Sequence, residues 1–300
     1  MCNVAQPPDC AAFAVHLKFM PELPEVETIA RGLHKRVAGD VIQSVWLGEK
    51  PETFKSRPHE IAAVLEHSRI VQVRRVGKHI VIDLEKRGKK RGQDSEKAQW
   101  IVHLGMTGRM QVTTPGTEIA KHTHAIAKLA SGRELRFVDP RRFGRLAVVR
   151  RNSQAPSGFT AAGDEPLEAQ AERFIELFRG RKTPIKSALL NQKLLSGVGN
   201  IYADEALFRA GIRPRRRTAS LTRDRLRRLH QAVQDVLKEA IAAGGSSISD
   251  YVDAAGEEGF FQLQHRVYGR EGELCLVCRT PVKRVVIGGR SSHYCSHCQK

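Results

Sequence analysis

The chain is 300 residues long, which suits two domains that each bury a core. Hydrophobic residues make up 41%, and no apolar run reaches the roughly 18 residues of a membrane helix, so no membrane span is expected. Lys and Arg number 50 against 32 Asp and Glu, and this net charge of +18 is spread along the chain; a folded basic face for a polyanion fits it better than a solvated surface or a disordered arm.

In chain order, residues 1–19 make a poor signal peptide: they lack a cationic start, Pro7, Pro8 and Asp9 interrupt them, and His16 and Lys18 break the apolar part. Met20-Pro21 then reads as a second beginning. "PELPEVETIARGLHKRV" is a predicted helix, because Val26, Ile29, Ala30, Leu33 and Val37 recur at helical spacing and Pro24 suits a first turn. Glu22, Glu25 and Glu27 crowd its start, where the helix dipole alone favours acids. Five β-like runs follow: "VIQSVWLG", "IVQVRRVGKHIVIDLE", "QWIVHLGMTGRMQV", "THAIAKLA" and "ELRFVDPRRFGRLAVV". The charged stretch "KRGKKRGQDSEKAQ" at residues 86–99 reads as a disordered loop, and "NSQAPSGFTAAGDEP" at residues 152–166 as a linker. Beyond it, "EAQAERFIELFRG", "TPIKSALLNQ", "NIYADEALFRAG" and "TRDRLRRLHQAVQDVLKEAIAAGG" carry apolar faces of helical period. The outline is α+β: a β-rich domain with one leading helix, then a helical domain that ends in a small metal module.

Three stretches carry chemistry. Cys275, Cys278, Cys295 and Cys298 form two C-x-x-C pairs near the end of the chain. Each pair can aim two thiolates at one ion, and four sulfurs suit a structural, tetrahedral Zn²⁺ with no open position. Cys2 and Cys10 are strays, so the cysteines are not a disulfide framework and a reducing cytoplasm is implied. The residues between the pairs read as a hairpin with "GG" near its tip; Arg290 there is either a phosphate contact or simply solvated. "SGVGN" joins two helices, and a helix starting at or just after Asn200 offers an anion seat, although glycine at a helix break also serves steric ends. The third stretch is the opening. If synthesis starts at Met20 and the methionine is removed, Pro21 carries a free secondary amine. A terminal amine titrates near ~8 against ~10.4 for lysine, so far more of it is nucleophilic at neutral pH. Amines of this kind form Schiff bases with sugar carbons, and Glu22 and Glu25 lie close enough in sequence to handle protons. If the chain starts at Met1, Pro21 is an amide and only a helix-initiating role is left.

"MPELPEVET", "HLGMTGRM", "DPRRFG", "GVGNIYADEALF" and the terminal cysteine pairs together resemble the bacterial formamidopyrimidine-DNA glycosylase family, also called 8-oxoguanine DNA glycosylase, over residues 20–300. That family begins at Met-Pro, so the resemblance makes residues 1–19 a non-native or removed leader. It implies an N-terminal catalytic β-sandwich over residues 20–151, a linker over 152–166, a helix-two-turn-helix DNA-binding domain over 167–270 and a zinc-ribbon hairpin over 271–300. The implied activity is that of a bifunctional DNA glycosylase and AP lyase in base excision repair. Such an enzyme flips an oxidised purine (8-oxoguanine or a formamidopyrimidine) out of duplex DNA, because the glycosidic bond cannot be reached inside the stack. It cuts that bond through a Schiff base and nicks the strand by β,δ-elimination. One structural zinc ion, damaged double-stranded DNA as partner, a monomeric state and a bacterial cytoplasmic, nucleoid-associated location complete the expectation.

Residue by residue, the resemblance makes Pro21 the nucleophile on C1′, Glu22 the acid/base at the sugar ring oxygen and Glu25 a supporting carboxylate. Lys78 becomes the hairpin lysine that assists elimination, although by itself it reads as a solvated strand lysine. Arg290 becomes the phosphate clamp. Met106, Arg141 and Phe143 become the wedge that refills the gap left by the extruded base; singly, Met106 and Phe143 read as core. His122, Arg181, Lys182, Lys186 and Asn200 match phosphate contacts, and residues 244–268 match the loop over the damaged base. The charged stretch at residues 86–99 is longer than the family's usual loop. Two rivals are kept. The sister endonuclease VIII type opens "PEGPE" where this chain has "PELPE". A zinc-ribbon DNA-binding protein with a blocked N-terminus would keep the basic face and cleave nothing.

Overall fold

The computed structural model describes residues 20–87, 95–150, 156, 159, 163–246 and 259–300. The leader, the middle of the charged stretch, most of the 152–166 segment and the middle of the 244–268 segment lie outside the described residues.

The predicted leading helix is α1, Leu23–Val37. Pro24 sits in its first turn, and the Glu22 N–H donates to Glu25 Oε2 (2.8 Å), closing a capping box at its start. The anticipated stripe is buried, with Leu23 added to it. Eight strands follow: β1 (Ile42–Leu47), β2 (Arg69–Val76), β3 (His79–Lys86), β4 (Glu96–His103), β5 (Arg109–Thr113), β6 (Thr123–Leu129), β7 (Glu134–Val138) and β8 (Arg145–Arg150). They form two antiparallel four-stranded sheets, ordered β1-β6-β7-β5 and β2-β3-β4-β8. Ile42, Leu135 and Phe137 from the first pack with Ile80, Trp100 and Leu146 from the second in one core. The loop expected over residues 86–99 needs correction at both ends: β3 runs to Lys86 and β4 starts at Glu96, because pairing between the strands holds the charged residues (Lys86 opposite Glu96, Glu85 opposite Lys97). A short helix, α2 (Pro58–Leu65), was not anticipated; it buries only Ile61, Val64 and Leu65.

The second half holds α3 (Ala171–Phe178), α4 (Ile185–Leu189), α5 (Asn200–Arg209) and α6 (Arg223–Ala242), then a hairpin of β9 (Val282–Ile287) and β10 (Arg290–Cys295). The Thr222 side chain caps α6 by accepting from the Arg225 N–H at 3.3 Å. Gly288 and Gly289 take positive φ (+55° and +74°), as a two-residue hairpin turn requires. Helix α1 is the shared piece of both halves: it lies against β2 and also against α6, and its residues join one core with Ile201 and Tyr202 of α5.

Candidate active site

The site is built where α1 begins and α5 begins. Pro21 and Glu22 are buried there. The Leu23 N–H donates to the Gly197 carbonyl (3.1 Å), and the Ile201 N–H at the start of α5 donates to Glu22 Oε1 (3.2 Å). The "SGVGN" glycines are thus explained by close approach. A Cβ at 199 would lie 2.0 Å from Glu22 Cδ, and one at 197, where φ is +92°, would lie 2.9 Å from Leu23 Cβ. The anion seat read at this helix start exists, but its occupant is the chain's own carboxylate and not a phosphate.

Glu22 Oε2 has no hydrogen-bond partner among the described residues. Burial pushes the Glu22 carboxyl up to about 7; the Lys78 ammonium opposes that rise and Glu25 adds to it. Lys78 sits in the β2–β3 turn, where burial lowers its pKa; the neighbouring carboxylates of Glu22 and Glu25 hold it up and Arg290 pushes it further down. Glu22, Glu25, Lys78 and Arg290 therefore belong to one electrostatic cluster, next to buried Pro21. Glu25 is fully buried and differently placed: it accepts from the Tyr202 hydroxyl, the Ser246 N–H (2.8 Å) and the Glu22 N–H (2.8 Å). It joins the helix start to the root of the 244–268 segment. Ser246 Oγ continues this chain to His265 Nε2 (3.1 Å).

The remaining candidates occupy other patches. Met106 is half-buried in the β4–β5 turn, and Phe143 (48% exposed) lies under the Arg141 guanidinium at 5.1 Å. The two loops are bolted together by Asp139, a fully buried residue that the motif reading passed over. Its Oδ1 accepts from the Thr107 hydroxyl (2.5 Å) and its Oδ2 from the Gly144 N–H (2.7 Å). His103 links these loops to the cluster. Burial, with His79 and Lys78 nearby, lowers it to about 4, so the neutral ring accepts from the Gly105 N–H (3.1 Å). His122 is exposed at φ +71° beside a cleft lined by Trp46, Lys50 and Arg142. Arg181 and Lys182 are exposed on the segment before α4, and Asn200 donates to Ser291 Oγ (3.4 Å).

Lys186 departs from expectation. Its side chain is fully buried, paired with Asp204 (2.7 Å) and donating to the Ser291 carbonyl (2.6 Å). The direct phosphate contact expected of it is corrected: its charge is already matched inside the protein, where it props the hairpin that presents Arg290. Asp204 also accepts from the His293 N–H (2.8 Å). Glu205 next to it takes three backbone N–H groups, from Arg266, Val267 and Tyr268 (2.9, 3.0 and 2.8 Å). Nothing in the local sequence marks these roles, because every partner is remote along the chain.

At the end of the chain the four cysteine sulfurs lie within 4.8 Å of one another. The pairs Cys275–Cys298 and Cys278–Cys295 are 3.9 and 3.4 Å apart. A tetrahedral ion with sulfurs at ~2.3 Å needs edges of about 3.8 Å, so the set fits Zn²⁺.

Three family models match the chain: the formamidopyrimidine-DNA glycosylase N-terminal domain over residues 20–146, the H2TH domain of the same glycosylase over 162–252, and a zinc finger found in FPG and IleRS over 272–300. With the sulfur geometry, the last match assigns one structural zinc ion to Cys275, Cys278, Cys295 and Cys298. A formamidopyrimidine-DNA glycosylase from Solibacter usitatus is 45% identical over 287 residues, covering 94% of this chain and 100% of its own. The crystal structure of MutM (FPG) from Thermus thermophilus is similar with a TM-score of 0.79 at 41% identity, over 93% of this chain and 98% of that one. A Lactococcus lactis FPG mutant in complex with a Fapy-dG containing DNA gives 0.83 at 32% identity, over 93% and 100%.

Proposed function

This chain belongs to the formamidopyrimidine-DNA glycosylase family, and on that footing we propose that it excises oxidised purines, 8-oxoguanine and formamidopyrimidines, from duplex DNA and then cleaves the strand as an AP lyase. The observation that carries the reading is Glu22: a buried carboxyl with a free oxygen and a pKa near 7, next in sequence to Pro21. A general acid works best when it titrates near the ambient pH.

In this mechanism Pro21 is the N-terminal residue, and its free amine attacks C1′ of the flipped nucleotide. The C1′–base bond breaks and the base leaves with a proton. Glu22 protonates the ring oxygen, the sugar opens, and Pro21 holds it as an iminium ion. Loss of a proton from C2′ then expels the 3′ phosphate, and a second elimination expels the 5′ phosphate. Water finally hydrolyses the iminium ion and frees the amine. Lys78 and Arg290 supply the positive charge that stabilises the departing phosphates, and Lys78, with its lowered pKa, also moves protons. Met106, Arg141 and Phe143 fill the vacated stack, while His122, Arg181, Lys182 and Asn200 hold phosphates. Glu25 positions the helix start and the root of the 244–268 segment. The match that starts at residue 20 supports taking Pro21 as the working terminus.

Borohydride reduction during turnover of an 8-oxoguanine duplex tests the reading. Protein beginning at Pro21 is expected to be trapped covalently, and Pro21→Gly to lose most of the adduct. Binding without any trapping would support the non-cleaving alternative instead.

A further inference from the structure

The run "RPRRRT" at residues 213–218 has no part in the cluster described above. Its backbone is clamped along the segment before and into α4. The Ile185 N–H donates to the Arg216 carbonyl (2.8 Å), the Lys186 N–H to the Pro214 carbonyl (3.3 Å) and the Thr218 N–H to the Thr183 carbonyl (3.0 Å). Pro214 and Thr218 are buried, whereas Arg213, Arg215 and Arg217 are exposed. With Arg216, Ser220 and Lys300 they line a shallow cleft of about 580 Å³.

Several exposed arginines elsewhere are matched by side-chain carboxylates: Arg173 with Asp164, Arg209 with Glu239, and Arg223 and Arg227 with Glu172. Among the described residues, no carboxylate lies within ion-pair distance of Arg215, Arg216 or Arg217. Arg213 is occupied by the end of the chain, donating to the carbonyls of Gln299 (2.9 Å) and Ser296 (3.0 Å). Guanidinium groups held close together on a fixed segment repel one another until an anion lies across them.

We propose that Arg215, Arg216 and Arg217 form a second phosphate-binding surface that takes the flank of the same DNA duplex beyond the lesion. Position selects the ligand. Arg215 reaches the Val286 carbonyl (3.4 Å) on β9, next to the turn that carries Arg290, and the Ala219 N–H on the far side donates to the Arg181 carbonyl (2.7 Å). A basic track thus runs from the Arg290 tip through the arginine run to exposed Arg181 and Lys182. A duplex anchored at Arg290 has its backbone beside this track, which an unrelated acidic protein would not need.

The inference rests on the DNA-repair reading, and its test separates the two. Binding of the full chain and of its R215Q/R216Q/R217Q variant is measured against salt on undamaged duplexes of about one and about three helical turns, ~10 and ~30 bp. On the long duplex the variant should weaken ~10-fold or more, and its log–log salt slope should fall by about 2–3, near 0.9 per lost contact. On the short duplex it should match the parent, and R215K/R216K/R217K should restore the slope. Equal loss on both lengths, or an unchanged slope on the long one, would overturn the inference; either outcome would move the patch to structure or to a different partner. An unaltered melting temperature is the folding control. None of these readings involves chemistry, so failure of borohydride trapping would refute the proposed lyase while leaving the second surface standing.

Discussion

Glu22 and Glu25 at the start of α1, and Asp204 and Glu205 within α5, are both pairs of buried acids that join distant parts of the chain. The α5 pair is engaged by an ion pair and by backbone donors. Asp204 has Lys186 and the His293 N–H, and Glu205 has three backbone donors. The α1 pair differs: Glu25 is saturated, but Glu22 keeps one oxygen without a hydrogen-bond partner among the described residues. Satisfied acids fix geometry; an acid held dry with a spare oxygen is prepared to take up a proton. On this contrast, the proposed chemistry rests on one member of the α1 pair, and the α5 pair holds structure.

The sharpest way to break this contrast is Glu22→Gln. It should lower single-turnover excision of 8-oxoguanine by roughly 10²–10⁴ without lowering the melting temperature at neutral pH. A large loss of stability with retained excision would reverse the assignment. Lys186→Met is the complement. It strands the buried Asp204 carboxylate and should destabilise by about 3–5 kcal/mol, read by denaturant unfolding. A variant that unfolds at the parent's midpoint would remove the strut.

Gly199→Ala sharpens the boundary between the two pairs, because the new methyl must displace the Glu22 carboxyl from the start of α5. Excision should fall about 10²-fold, since displacements near 1 Å at reacting groups carry that penalty. The smallest effect is on pH. The folded-state pKa of Glu22 is raised from 4.5 to about 7, so the native state binds more protons than the unfolded chain between these values. The stability contributed by this group is present below the ordinary carboxylate range and is lost as pH rises through about 7, up to roughly 3 kcal/mol. Wild type should therefore lose ground to Glu22→Gln between pH 4.5 and 7, and melting curves of the two across that range check it. Parallel curves would mean that Glu22 is not held dry.

Much of the frame was legible in the sequence, because its signals are local. The α1 stripe, the Gly288-Gly289 tip and the two C-x-x-C pairs each declare themselves within a few residues. The site was legible as a set of residue types, through motifs that resemble a known family. Its wiring was not. Glu22 meets the Ile201 N–H across 179 positions, and Glu25 meets Ser246 across 221. For the same reason the Gly-rich turn before Asn200 reads as an anion seat and Lys186 as a phosphate contact, when Gly199 makes room for a carboxylate and Lys186 is neutralised by Asp204. Asp139 and His103 lie inside the motifs, but the hydrogen bonds by which they hold the loops leave no mark in the local sequence.

The central claim is that a free Pro21 amine beside Glu22 performs the chemistry. Borohydride trapping followed by mass mapping of the peptide that carries the sugar tests it most directly. The account predicts the adduct on Pro21 of a chain with no residue before it. An adduct on Lys78 or another lysine, or equal trapping by protein in which Met20 and residues 1–19 are still attached, would contradict it.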